Sequence, residues 1–207
     1  MNALKTSLLA LALLAAFGNA AADNKYHITV DARQLAGMGF LDLQFNPGQD
    51  GAVDANATVS AFQGLLDNSQ AGEVFGNVTG SLPGTVNFNN QSGYNDLFQG
   101  VKFGGKFSFN VNFSGDYFSN PSNIGSAFAL SLYAADRATV LGNGDVNSGS
   151  LVTFNLAQNG QYGAVTPYVF DSQIITITPV PEPSEWALMA GGLMALGLVA
   201  RRRKQQA

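Results

Sequence analysis

Hydrophobic and polar residues alternate along most of the chain between Tyr26 and Ile177. This is the period of a β-strand that buries one face. The clearest case is Phe107–Phe113, where phenylalanine or valine fills every second position and serine or asparagine fills the positions between. A shift of one residue would expose that whole apolar row, so the alternation also fixes how the strand pairs.

The same alternation predicts roughly nine strands, separated by turns rich in glycine, asparagine and proline. The predicted strands are 26–31, 40–45, 58–62, 74–79, 85–89, 107–113, 128–132, 152–156 and 175–177. Residues 64–72 are predicted to form a loop or a single helical turn. We therefore expect an all-β fold, specifically an antiparallel β-sandwich that resembles a jelly roll.

Both ends of the chain depart from this alternation. Residues 1–22 contain Lys5, an apolar stretch and several small residues, which is the pattern of a cleavable signal peptide. We predict a signal peptide over 1–22, one β-domain over 23–179 and a C-terminal tail over 180–207. The tail consists of Pro181, Glu182 and Pro183, an apolar run over 187–200, and the basic residues Arg201, Arg202, Arg203 and Lys204.

The tail has the composition of a short transmembrane helix. Its apolar run of 14 residues makes a helix of about 21 Å, whereas a bilayer core is about 30 Å thick. Trp186 has the position of an interfacial anchor, and the basic cluster over 201–204 acts as a positive-inside stop. These features fit a processed sorting signal and a permanent membrane anchor equally well.

The order of Pro181-Glu182-Pro183, a short apolar helix and a terminal arginine cluster resembles the PEP-CTERM sorting signal of Gram-negative bacteria. The resemblance implies that an exosortase recognises Pro181, Glu182 and Pro183 and removes the tail. Three segments of the body, Gly39–Gly48, Asn95–Gly100 and Phe128–Tyr133, are similar to motifs of one group of PEP-CTERM proteins without an assigned activity. They are read here as strand and turn patterns that support the fold.

The charge of the body limits its partners. Between Asp23 and Val180 there are five basic and twelve acidic residues, so the net charge of this part is −7. Nucleic-acid binding is not expected, because a phosphate backbone requires a basic surface. The chain contains no cysteine, which excludes disulfides and thiol chemistry.

The sequence gives little support for catalysis, and we expect no enzyme. The single histidine, His27, starts the first strand, and no Gly-x-Ser-x-Gly turn accompanies it. With one histidine and no cysteine to supply ligands, a zinc site is not expected. No local spacing selects a pair of the acidic residues for glycoside hydrolysis, so we interpret them as solvated turn residues.

Two kinds of binding site are considered. Oxygen-bearing side chains alternate at Asn143, Asp145 and Asn147, as in a calcium loop, and Asp50 and Asp54 lie in a second glycine-containing loop. Both loops lack the closing glutamate, and their residues are also ordinary turn formers. Aromatic residues in loops or on polar faces are candidates for stacking on sugar rings, or alternatively for packing loop edges: Tyr94, Tyr117, Phe118, Tyr133, Tyr162 and Tyr168.

These observations lead to an expected route and role. The Sec machinery and signal peptidase export the chain, the tail holds it transiently in the inner membrane, and exosortase delivers it to the cell surface or the extracellular space. There we expect a non-enzymatic structural or adhesive protein of an exopolysaccharide or biofilm layer. The alternative is a domain that binds or processes carbohydrate in that layer, and a third possibility is a periplasmic protein with a permanent membrane anchor.

Overall fold

The computed structural model describes residues 24–67, 69–70, 72–120, 124–156, 163–181, 190–194 and 196. The chain divides into two units, one formed by Asn24–Pro179 and one by the two termini, Met1–Asp23 and Val180–Ala207. The predicted signal peptide over 1–22 lies outside the described residues. The first unit contains the whole described hydrophobic core.

The described part of the first unit forms twelve strands in two antiparallel sheets. The first sheet contains, in spatial order, β12 (Ile175–Pro179), β1 (Lys25–Asp31), β8 (Lys106–Ser114), β3 (Asn56–Gln63), β6 (Val86–Asn89) and β5 (Val78–Gly80). The second sheet contains β11 (Thr166–Val169), β10 (Val152–Leu156), β9 (Ser126–Ala134), β2 (Met38–Pro47), β7 (Asp96–Lys102) and β4 (Glu73–Phe75). The predicted all-β sandwich is therefore confirmed.

The two sheets pack through their aromatic inner faces. Phe113 of β8 lies at the centre, with ring centroids 6.2 Å from Phe45 of β2, 6.0 Å from Phe128 of β9 and 5.6 Å from Phe154 of β10. All four rings are fully buried. Each aromatic side chain removes about 150–250 Å² from water, so this cluster supplies much of the driving force for joining the sheets.

The strand count differs from the roughly nine predicted, for identifiable reasons. The predicted strand 74–79 is two strands, β4 and β5, which belong to different sheets. The chain changes sheet at Gly76, whose φ of 71° is favourable only for glycine. A Cβ at this position would also collide with the Tyr94 carbonyl oxygen. The strands β7 and β11 are absent from the nine strands predicted from alternation, although Asn95–Gly100, which overlaps β7, was interpreted as a strand and turn pattern.

The outer faces of the two sheets differ in chemistry. The outer face of the first sheet carries small polar side chains, such as Asn110, whose Oδ1 lies 2.8 Å from Nδ1 of His27. The outer face of the second sheet carries Phe40, Asp42 and Phe98 on the neighbouring strands β2 and β7. Aromatic and acidic side chains therefore share the outer face of the second sheet.

Little of the tail is described. Residues 190–194 and 196 are helical, within the apolar run predicted as a helix. In the part of the chain that the structure describes, no helix has the length and hydrophobicity needed to cross a bilayer.

Candidate functional site

A cleft of about 360 Å³ opens on the outer face of the second sheet, at the edge where β4 pairs with β7. We call it the outer-face cleft. Its lining residues come from these two strands, the segment before β7 and the turn after β9: Glu73, Val74, Phe75, Tyr94, Asp96, Phe98 and Arg137. Its volume lies within the range of small-molecule sites, about 300–1,000 Å³.

Aromatic rings form the floor and one wall of the outer-face cleft. Phe98 stacks on Phe40 with a centroid distance of 4.6 Å, and it contacts Tyr133 of β9 at 5.5 Å. Phe75 and Tyr94 form a second pair at 5.6 Å, and both are largely exposed, at 63% and 42% of their surface. Exposed rings of this kind offer flat apolar surfaces to a ligand.

Arg137 covers part of this aromatic floor. Its guanidinium carbon lies 5.0 Å from the centroids of both Phe40 and Phe98, and its Nη2 atom lies 2.6 Å from Oε1 of Glu73. The backbone of Arg137 has a φ of 63°, in the left-handed region that non-glycine residues rarely adopt. Such a conformation persists where the surroundings hold it, which is common at functional sites.

A pair of carboxyl groups lies beside the aromatic floor. Asp42, only 3% exposed, lies diagonally across from Asp96 on the adjacent strand, because the strand register places Asp42 opposite Phe98 and Gln44 opposite Asp96. Oδ2 of Asp42 accepts a hydrogen bond of 2.8 Å from Nε2 of Gln44. Oδ1 of Asp42 and Oδ1 of Asp96 are buried without a donor among the described residues. A proton shared between the two carboxyl groups would satisfy both orphaned oxygens.

The surroundings of the pair favour this shared proton. Burial, together with the neighbouring Asp96 carboxyl, raises the pKa of Asp42 to about 8. Burial also raises the pKa of Asp96, and the pKa of Tyr94 rises to about 12 through burial and the two nearby carboxyl groups. Two neighbouring carboxylates do not both ionise easily, and a pair that shares one proton carries one negative charge.

The chemistry available to the outer-face cleft is binding by stacking and hydrogen bonding. The chain matches no protein-family model, no curated protein and no solved structure. The side chains of the cleft are the basis for proposing a ligand.

The aromatic residues proposed for sugar contact lie in different parts of the structure. Tyr94 and Tyr133 belong to the cleft region, as described above. For Tyr117 the sugar-contact hypothesis was wrong and the packing alternative holds, because the residue is 2% exposed and its hydroxyl donates to the Ala164 carbonyl oxygen. Phe118 packs on Tyr117 at 5.2 Å. Tyr168 is exposed on β11 at the far edge of the same sheet, and Tyr162 lies outside the described residues.

In the proposed calcium loop, the candidate residues already form hydrogen bonds within the protein. Oδ1 of Asp145 accepts from the backbone amides of Asn147 and Ser148, which lowers the pKa of this carboxyl. The amide of Asn143 donates to Oδ2 of the buried Asp171. In the second loop, the Asp54 carboxylate accepts from the side-chain amides of Asn56 and Asn89. The described residues contain no cluster of three potential metal ligands.

Most of the predicted sorting residues fall outside the described chain. Pro181 lies within the described residues, two positions after the end of β12, and it is exposed. Glu182 and Pro183 lie outside the described residues, as do the basic residues over 201–204.

The residues that build the cleft were mostly missed from the sequence. Interpreting the acidic residues as solvated turn residues was wrong for Asp42 and Asp96, which lie in strands, where Asp42 is buried and Asp96 is partly buried. The signal that could have found them is an aromatic residue two positions from an acid, at Phe40 and Asp42 and again at Asp96 and Phe98. At that spacing both side chains of a pair share one face of a strand.

Proposed function

We propose that the protein is an exported adhesive or structural component of a bacterial surface or exopolysaccharide layer, and that its β-sandwich binds glycan in the outer-face cleft. The observation that carries this proposal is the combination of exposed rings with carboxyl and guanidinium groups in one cleft. Pyranose rings are recognised by stacking on aromatic faces, while their hydroxyls bond to charged and amide side chains.

We also propose that the sandwich is a jelly roll. In a jelly roll, a long antiparallel hairpin of eight strands folds over into two sheets, so that the first strand pairs with the eighth, the second with the seventh and the third with the sixth. The pairs β1–β8, β2–β7 and β3–β6 follow this scheme. Lectin domains use the jelly roll, although this analogy concerns the fold alone.

The three body segments that resemble PEP-CTERM motifs contribute residues to the cleft region. Gly39–Gly48, Asn95–Gly100 and Phe128–Tyr133 overlap β2, β7 and β9, which are hydrogen-bonded neighbours in the second sheet. Their outward side chains include Phe40, Asp42, Asp96, Phe98 and Tyr133. Segments first interpreted as fold patterns therefore meet at the cleft, which supports a shared role in binding.

Delivery is proposed from the two ends of the sequence. Signal peptidase cleaves near residue 22, and exosortase recognises Pro181-Glu182-Pro183 and removes the apolar helix and the basic cluster. The intact mass of protein from the producer's surface and medium tests this route. We expect a species that begins near Asp23 and ends near the Pro-Glu-Pro segment. A chain that extends to Ala207 and occurs only in membranes would show instead that the tail is a permanent anchor.

Glycan binding is tested by titrating purified protein with polysaccharide fractions of the producer. We expect saturable binding that Phe75→Ala weakens about tenfold, since loss of a stacking ring costs on the order of 1 kcal/mol. Phe75 is 63% exposed, so the change leaves the core intact. Phe170→Ala is the matched control, because Phe170 is also exposed and lies outside the cleft lining. Flat isotherms across neutral, acidic and cationic fractions would refute the proposal.

A further inference from the structure

The outer-face cleft has an excess of negative charge. Arg137 and Glu73 neutralise one another through their 2.6 Å ion pair. The carboxyl pair of Asp42 and Asp96 retains one negative charge when it shares a proton. The lining of the cleft, together with the buried Asp42 behind it, therefore has a net charge of about −1.

The aromatic surfaces of the cleft suit a cation. The guanidinium of Arg137 already lies over Phe40 and Phe98, so these two rings are engaged by a positive group of the chain itself. Phe75 and Tyr94 are the exposed pair, and Tyr94 lies close enough to the acids for Asp96 and Asp42 to affect its titration. A carboxylate beside open aromatic faces is the arrangement that binds alkylammonium groups.

The negative charge of the rest of the domain also favours a cationic ligand. The segment Asp23–Val180 has a net charge of −7, which attracts a cationic polymer and repels an acidic one. A uronic-acid polymer would bring its carboxylates towards both this field and Asp96. Among glycans, the charge therefore favours chains with free amino groups.

We propose that the outer-face cleft binds amino-sugar units with a free ammonium group, the sugar ring stacking on Phe75 and Tyr94 and the ammonium pairing with Asp96. This inference rests on the proposed glycan-binding function and names the class of glycan. Asp42 is a positioning residue in this scheme. By holding the shared proton on the buried side of the pair, it leaves the charge on Asp96, which lines the cleft.

Three oligosaccharides with the same β-1,4 backbone test the proposal: glucosamine hexamer, N-acetylglucosamine hexamer and cellohexaose. Calorimetric titration of the full chain at about pH 6 keeps the free amines charged. We expect the glucosamine hexamer to bind at least about tenfold more tightly than the other two, a difference of about 1.4 kcal/mol. Added salt should weaken this preference and leave binding of cellohexaose unchanged.

Two isosteric variants separate the roles of the carboxyl groups. Asp96→Asn removes the carboxylate that lines the cleft and should abolish the preference for the glucosamine hexamer. Asp42→Asn offers an amide donor in place of the shared proton, leaves Asp96 ionised and should retain the preference. Asp116→Asn, an exposed acid outside the cleft, controls for the change in overall charge.

The possible outcomes distinguish this inference from the function on which it rests. Equal affinity of the wild type for all three hexamers would overturn the amino-sugar assignment and leave glycan binding in place. Retention of the preference in Asp96→Asn would overturn the role of Asp96. If no hexamer binds while the producer's own polysaccharide does, the inference fails alone. If neither binds, the proposed glycan-binding function fails with it.

Discussion

At the scale of single residues, Asp42 is the side chain least expected from its position. It stands in the middle of β2 with Leu41 and Leu43 on the buried face, and simple alternation would leave it in water. Instead it is 3% exposed, with Phe98 opposite it on β7 and Ser131 opposite it on β9. An acid in such a place is stable only when neutralised or paired, and Asp96 supplies the partner.

The raised pKa of Asp42 has a consequence for stability. Its native pKa of about 8 exceeds the ordinary 3.8, so the native state binds more protons than the unfolded chain between these values. Stability must then fall as the pH rises through this window, by on the order of a few kcal/mol. We expect the melting temperature of the wild type to decrease between about pH 5 and pH 9, and Asp42→Asn to flatten that decrease.

The melting temperature of each protein is measured by circular dichroism across this pH range. Asp116→Asn is the matched acid-to-amide control and should keep the wild-type slope. The lowered pKa values of Asp31 and Asp136 matter only at more acidic pH, so they do not enter this window. If Asp42→Asn showed the full wild-type decrease, the pair would not share a proton.

At the scale of strands, a strand can be predicted from the sequence when one of its faces is consistently apolar and the other consistently polar. The strand β8 was predicted correctly because its buried positions are all phenylalanine or valine and its outward positions are polar. In β7 the inward row is Leu97, Gln99 and Val101, and the buried Gln99 interrupts the apolar pattern. The edge strand β11 is exposed at every position, so it has no apolar face to detect.

The candidate site was harder to predict than the fold for the same reason. The outward direction of Asp42 and Gln44 follows from the alternation along β2. Their contact with Asp96 depends on the pairing of β2 with β7, which sets Asp42 opposite Phe98. Alternation predicted neither the bounds of β7 nor its pairing with β2, so the register that brings the two acids together could not be assigned.

The packing of β8 against the second sheet leads to a prediction for Phe113. Its ring contacts four others from β1, β2, β9 and β10 and is fully buried. Phe113→Ala should lower the free energy of unfolding by about 3–5 kcal/mol, through lost burial and the cavity left behind. Urea denaturation measures this loss. Phe75→Ala, in the exposed cleft wall, should cost less than about 1 kcal/mol, and equal losses would contradict the packing described here.

At the scale of the whole molecule, folding and delivery are assigned to different parts of the chain. Every residue of the described core lies within Asn24–Pro179, and the residues of the proposed sorting signal follow it. Pro181 is exposed just beyond β12 and contributes nothing to the core. Changes in the tail should therefore alter where the protein goes without altering how stable its β-domain is.

Deleting residues 181–204 in the producer tests this separation. The truncated protein should have the melting temperature of the processed wild type within about 2 °C, because none of its core contacts are lost. It should no longer be processed or held at the surface, as fractionation and immunoblotting would reveal. A milder variant, Pro181→Ala with Pro183→Ala, keeps the apolar run and basic cluster and should accumulate uncleaved in the inner membrane. Normal surface display of either variant would mean that this motif does not direct sorting, and a lower melting temperature would mean that the tail also supports the fold.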